Sequence, residues 1–183
     1  MTRVNDRSGP SENVDIRPAR PDDATAIGVA HVRAWQAAYR GVMPDEYLDS
    51  LSTDERAAMW RDRIERVDLP PLLVAETGEG VVGFAAYGRE QPSPEARGTG
   101  QLHAVNLDPL HWGKGIGRAL VRQAMDALRS LGYREAILWV VPQNVRARSL
   151  YESEGWRADG AVMDGEVLGV TVPEMRYRTE LRD

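Results

Sequence analysis

The chain has 183 residues, 42% of them hydrophobic, and 23 basic against 28 acidic side chains leave a net charge of -5, so it closes one buried core and lacks the basic surface of a nucleic-acid binder. It has no cysteine and three histidines, His31, His103 and His111, which excludes disulfides, thiolate metal sites and a cysteine acyl-enzyme, and no histidine pair has the i, i+4 spacing of a helical metal site. A small or cationic partner suits the charge balance, and no metal is expected.

Met1 to Asn13 is polar and lacks the apolar stretch of a secretory signal. It is expected to be a disordered tail preceding one domain over 14–183. No apolar run is long enough to span a bilayer, so a soluble, cytoplasmic protein is expected. Val14 to Arg17, stopped by Pro18, predicts a first strand. Pro21, Asp22 and Asp23 start a helix whose apolar side runs through Ile27, Ala30, Ala34 and Ala38, with His31, Trp35 and Tyr39 beside it, and which ends at Gly41. A second helical stretch begins near Pro44. Ser52 and Glu55 form a capping box ahead of a helix that buries Met59, Trp60 and Ile64.

Pro70 and Pro71 break that helix, and Leu72 to Glu76 and Val81 to Tyr87 form an antiparallel hairpin around Gly78 to Gly80. Gln91 to Gly100 is an exposed loop. Gln101 to Leu107 is a strand, and Gly115 to Leu131 a helix burying Ile116, Leu120, Ala124, Leu128 and Leu131. Ala136 to Val141 reads as a strand covered on both sides, Asn144 to Glu154 as a helix ended by Gly155, and Val162 to Arg178 as the last two strands. Strands and helices alternate in the second half, which implies an α/β fold with a mixed sheet and a parallel pair near its centre.

Between that central strand and its helix lies Trp112-Gly113-Lys114-Gly115-Ile116-Gly117. Alternating glycines let the backbone approach a bulky anion, and the free N–H groups and positive dipole end of the helix face it. A dinucleotide fingerprint starting at Gly113 would need glycine where Arg118 stands, and the Gly-Lys-Ser/Thr of a P-loop is absent, so nicotinamide and ATP are poor ligands.

The segment from Leu102 to Leu120 resembles the acetyl-CoA-binding motif of the GNAT superfamily of N-acetyltransferases, Gln/Arg-x-x-Gly-x-Gly/Ala, mapped onto Trp112 to Gly117 with tryptophan in place of Gln or Arg. Asn144, Ala147, Tyr151, Gly155 and Trp156 are similar to the family's second segment, and the stretches from Trp35 to Gly41 and from Pro44 to Tyr47 look like the N-terminal helices of bacterial members. The resemblance implies a single domain with an antiparallel N-terminal sheet, a splayed parallel pair and flanking helices. It implies acetyl-CoA as co-substrate.

On that analogy Val105 and Leu107 offer backbone groups to the pantetheine arm and the thioester carbonyl, Trp112 to Gly117 and Arg118 take the diphosphate, and Asn144 either binds pantetheine or caps its helix. Arg148 either meets a CoA phosphate or is an exposed arginine. Tyr151 is the candidate acid for the departing thiolate. His103, on the strand side shared by Gln101 and Val105 by period-2 alternation, is either the general base or a hydrogen-bonded sheet histidine. His111 is expected to be solvated. Trp35, Tyr39 and Gln101 are candidates for the acceptor pocket. The expected activity is direct acetyl transfer to a primary amine of a small molecule; a regulatory acetyl-CoA-binding module and a protein N-acetyltransferase are the alternatives, and a homodimer is possible.

Overall fold

The computed structural model describes residues 14–66, 69, 71–89, 98–167 and 170–181. The tail expected over 1–13, Pro70, and most of the loop expected from Gln91 to Gly100 lie outside the described residues.

Seven strands form one mixed α/β sheet in the order β1-β2-β3-β4-β5-β7-β6. They are β1 Asp15–Pro18, β2 Leu72–Thr77, β3 Gly80–Arg89, β4 Thr99–Leu107, β5 Glu135–Val140, β6 Arg157–Val167 and β7 Val170–Glu180. All neighbours run antiparallel except β4 and β5. Ala136, Ile137 and Leu138 of β5 are fully buried, as their apolar run requires of a strand covered on both faces. The last hairpin starts earlier than the sequence suggests: β6 begins directly after Trp156.

Helices cover both faces. On one lie α1 Ala24–Tyr39, α2 Asp45–Asp49 and α3 Thr53–Glu65; on the other lie α4 Ile116–Ser130 and α5 Val145–Ser153. The Ser52 hydroxyl accepts from the Glu55 amide at 3.2 Å and caps α3. Gly28 lets α1 and α3 approach, because a Cβ there would stand 2.7 Å from the Thr53 carbonyl oxygen. On α4, Ile116, Leu120, Val121, Ala124 and Leu128 form the buried stripe, and burying each leucine contributes about 2 kcal/mol.

Three side chains depart from their expected places. Met59 is 38% exposed, because it lies about 100° round α3 from the buried Trp60. Leu131 is 61% exposed, since the helix ends before it and its backbone only closes the last turn. His111 is buried, not solvated: a 3-10 turn over Pro109–His111 tucks its ring inward, with Nε2 3.5 Å from Glu79.

Candidate active site

The site begins with a defect in strand pairing. β4 and β5 pair only over Thr99–Gln101 and Glu135–Ile137, after which β4 runs on to Leu107 without a strand beside it on that edge. On its other edge Ala86 faces Ala104 while Tyr87 faces Leu102, so His103 is an extra residue. A bulge bends its strand and adds local twist, which accounts for the divergence. Between the diverging strands opens a cavity of about 850 Å³, lined by Leu102 to Leu107, Trp139 and Val140 of the strands, by Ala34, Trp35, Ala37, Ala38 and Tyr39 of α1, and by residues of α5.

The bulge also corrects the expected alternation. Val105 and Leu107 pack with α4, Ala104 packs with Phe84 and Ile27 on the opposite face, and His103 is close enough to Arg63 of α3 to feel its charge. His103 therefore does not share the side of Val105. Its ring lines the cavity, with Nε2 3.1 Å from the Arg89 carbonyl oxygen. Burial, reinforced by Arg63, pushes its pKa down to about 4 despite that bond. The imidazole is neutral at pH 7 and weakly basic.

At the other end, Asp108 caps the 3-10 turn and the chain passes into the glycine turn. Gly113 and Gly115 have φ of 78° and 83°, left-handed values that a side chain would strain. The bond from the Ala119 amide to the Gly115 carbonyl opens α4, so the amides of Ile116, Gly117 and Arg118 precede the helical ladder where Gly113, Gly115, Gly117 and Arg118 line the cavity. No Cβ stands at the three glycines to keep an anion away, and this cradle fits a diphosphate. The Trp112 indole donates to the Leu107 carbonyl at 2.9 Å, and the Arg146 guanidinium lies 4.3 Å from the Trp112 ring centroid. Arg146 has no ion-pair partner among the described residues, whereas Glu154 binds Arg118 at 2.8 Å and Arg122 at 2.6 Å.

Midway, the Asn144 side chain accepts from the Ala147 amide at 3.1 Å, which makes it the cap of α5, and it lies near enough to the Tyr39 phenol to offset part of the upward push of burial on that group. Tyr151 lines the cavity nearby, and burial followed by the neighbouring Tyr39 drives its phenol well above the usual range. Trp35 and Tyr39 pack at 4.9 Å between centroids and wall the cavity on the α1 side.

Four expected residues stand elsewhere. Gln101 is occupied in the short β4–β5 pairing, away from the cavity lining. The Ile116 side chain is core, so only its amide can serve the turn. Lys114 is an exposed residue of the turn outside the lining. Arg148 turns toward β7, donating to Tyr177 Oη at 3.0 Å and to the Pro142 carbonyl at 3.1 Å, instead of facing the cavity. Conversely, the cavity brings in Trp139, Arg146 and Glu174, none of which the sequence reading singled out. Arg146 could have been found as the second cation, beside Arg148, inside the Asn144–Tyr151 segment; Glu174 carries no such local signal.

Residues 32–156 match the model of the acetyltransferase (GNAT) family. The chain is 32% identical over 164 residues to the uncharacterized N-acetyltransferase YuaI of Bacillus subtilis (strain 168), spanning 88% of this chain and 90% of that protein. It is 30% identical over 145 residues to the L-amino acid N-acyltransferase MnaT of Escherichia coli (strain K12), spanning 78% and 79% respectively. Its fold is similar to the crystal structure of the PaiA N-acetyltransferase of Thermoplasma acidophilum in complex with coenzyme A, with a TM-score of 0.72 at 20% identity over 92% of this chain and 99% of that one.

Proposed function

The chain belongs to the acetyltransferase (GNAT) family and is an acyltransferase, and we propose that it transfers acetyl from acetyl-CoA directly to a primary amine of a small molecule. The observation that carries this reading is the continuity of one cavity from the glycine turn at the start of α4, past Tyr151 and Asn144, to the aromatic wall of α1. An anion cradle, a reaction centre and an acceptor pocket then lie in line.

The diphosphate sits on the amides of Ile116, Gly117 and Arg118, beside the bare backbone of Gly113 and Gly115, with Arg146 as the available cation. The pantetheine arm takes the strand place that β5 leaves empty beside β4, near Val105, and a main-chain N–H there polarises the thioester carbonyl. The ammonium first gives a proton to solvent, its neutral nitrogen attacks that carbon, the C–N bond forms and the C–S bond breaks; the thiolate takes the Tyr151 hydroxyl proton as it leaves, and the proton shed by the new amide nitrogen returns to the phenolate. A phenol held above its usual pKa keeps its proton until an anion forms next to it. The absence of cysteine excludes a thioester acyl-enzyme, which supports direct transfer.

Isothermal titration with acetyl-CoA and thiol release with a panel of primary amines test the reading. Binding together with amine-dependent thiol release is the expected result. No acetyl-CoA binding overturns it; binding with no turnover on any amine, or turnover confined to peptides, overturns the small-molecule acceptor.

A further inference from the structure

Among the described residues, the acceptor half of the cavity holds one carboxylate, that of Glu174 on β7. Its side chain is half-buried and has neither a hydrogen-bond nor an ion-pair partner among the described residues. This is unusual in a chain whose other partly buried carboxylates are matched: Asp23 by Arg17, Asp108 by Arg33, Asp159 by Arg176 and Arg178, and Glu154 by Arg118 and Arg122. An unmatched buried charge is costly unless a partner arrives from outside. Burial without a counterion holds the Glu174 carboxyl above the ordinary carboxylate range.

A second feature makes room for it. Gly165 on β6 is buried, and a Cβ built there would stand 2.8 Å from Glu174 Cδ and closer still to Oε2. The carboxylate thus occupies the space that a side chain at position 165 would take. Trp35 and Tyr39 from α1 and Trp139 from β5 line the same cavity, the Glu174 charge reaches the Tyr39 phenol, and Arg176, two residues along β7, is drawn away by Asp159 at 2.8 Å and lies 5.6 Å from the Trp139 ring centroid. The cationic side chains of the lining, Arg118 and Arg146, are both at the glycine-turn end.

We infer that Glu174 is the residue that binds the acceptor's ammonium group, that Gly165 is the positioning residue that lets it do so, and that the acceptor is a cationic amine with an apolar or aromatic body and no carboxylate beside the nitrogen. This rests on the acetyl-transfer reading for the identity of the acceptor, and on the cavity alone for the ammonium site. An α-carboxylate placed next to the ammonium would face Glu174 itself, with like charges close together in a desolvated pocket. The aromatic walls favour both the apolar body and the cation.

The test is calorimetric titration of 2-phenylethylamine, 2-phenylethanol and phenylalanine into the chain, with and without coenzyme A. These probes share one body and differ in charge. The amine is expected to bind at least about tenfold more tightly than the alcohol and the amino acid, since a charge-assisted bond to a carboxylate supplies that much. Glu174→Gln should remove the preference for amine over alcohol. Gly165→Ala should weaken the amine by pushing the carboxylate aside, and the double variant should bind the amine no more weakly than Glu174→Gln alone, because both act through one group. Acetyl-CoA titrations of the same variants show whether they are folded. Equal affinity for amine and alcohol, tighter binding of phenylalanine, or fully additive losses in the double variant would overturn the inference. If the wild type fails to bind acetyl-CoA, the functional reading falls, and the amine titrations without coenzyme A still decide the ammonium site.

Discussion

The Trp112 indole N–H donates to the carbonyl oxygen of Leu107 at 2.9 Å, tying the glycine turn to the end of β4. A glutamine or arginine there would be free to reach a ligand, whereas the indole is committed to the protein and offers its face to Arg146 at 4.3 Å. The residue that departs from the family signature thus fixes the shape of the cradle and presents a cation to it.

Trp112→Phe keeps an aromatic face for Arg146 and removes the bond. A neutral hydrogen bond is worth about 1 kcal/mol net, so acetyl-CoA affinity should fall about fivefold and the melting temperature should drop slightly. Calorimetry and a thermal melt check this; wild-type affinity would mean that the turn keeps its shape unaided.

Tyr151→Phe should leave acetyl-CoA binding within about twofold and lower turnover by about a hundredfold, in line with the loss of a positioned general acid. Comparing kcat with the cofactor dissociation constant separates the two. Unchanged kcat would remove Tyr151 from the chemistry.

His103 should not set a limb of the rate profile near neutral pH. Its ring is held at about 4 by burial and Arg63, and one nitrogen is engaged by the Arg89 carbonyl. The kcat/KM profiles of wild type and His103→Ala should therefore keep the same shape above pH 5.5. Displacement of a limb between pH 6 and 7 would restore His103 as the base.

His31 makes stability depend on acid. It is buried, its Nδ1 accepts from the Trp60 indole at 2.8 Å, and burial, reinforced by Arg56, lowers its pKa to about 4. The unfolded ring takes a proton near the ordinary value of about 6.5, and the folded ring resists it. The contribution is complete above pH 6.5 and declines as pH falls toward 4, by about 2 kcal/mol between pH 7 and pH 5 for this one ring. Urea denaturation at those two pH values measures the difference, and His31→Gln should flatten it. Asp23 and Glu135, held low by Arg17 and by Thr99 with Arg178, lose their contributions only at lower pH.

The sequence by itself determined what depends on neighbours along the chain. Alternating glycines from Gly113 to Gly117 prescribe a turn that only unsubstituted backbone can make, Leu120, Ala124 and Leu128 fall on one side of any helix, and Asn144 stands three residues before the amide it caps. Hydrophobic period and capping chemistry act within a few residues, so they are legible without the fold. Tertiary structure decided what depends on strands distant in sequence. A one-residue bulge against β3 turned His103 away from the side of Val105 and spread β4 from β5. Tyr177 of β7 drew Arg148 of α5 toward that strand, and the fold of the chain past Pro109 buried His111. Glu174 gained its place only because β6 sets the bare backbone of Gly165 beside it. A lone carboxylate in a strand carries no periodic mark, and its partners are fixed by register across the sheet, which side-chain order along one strand does not specify.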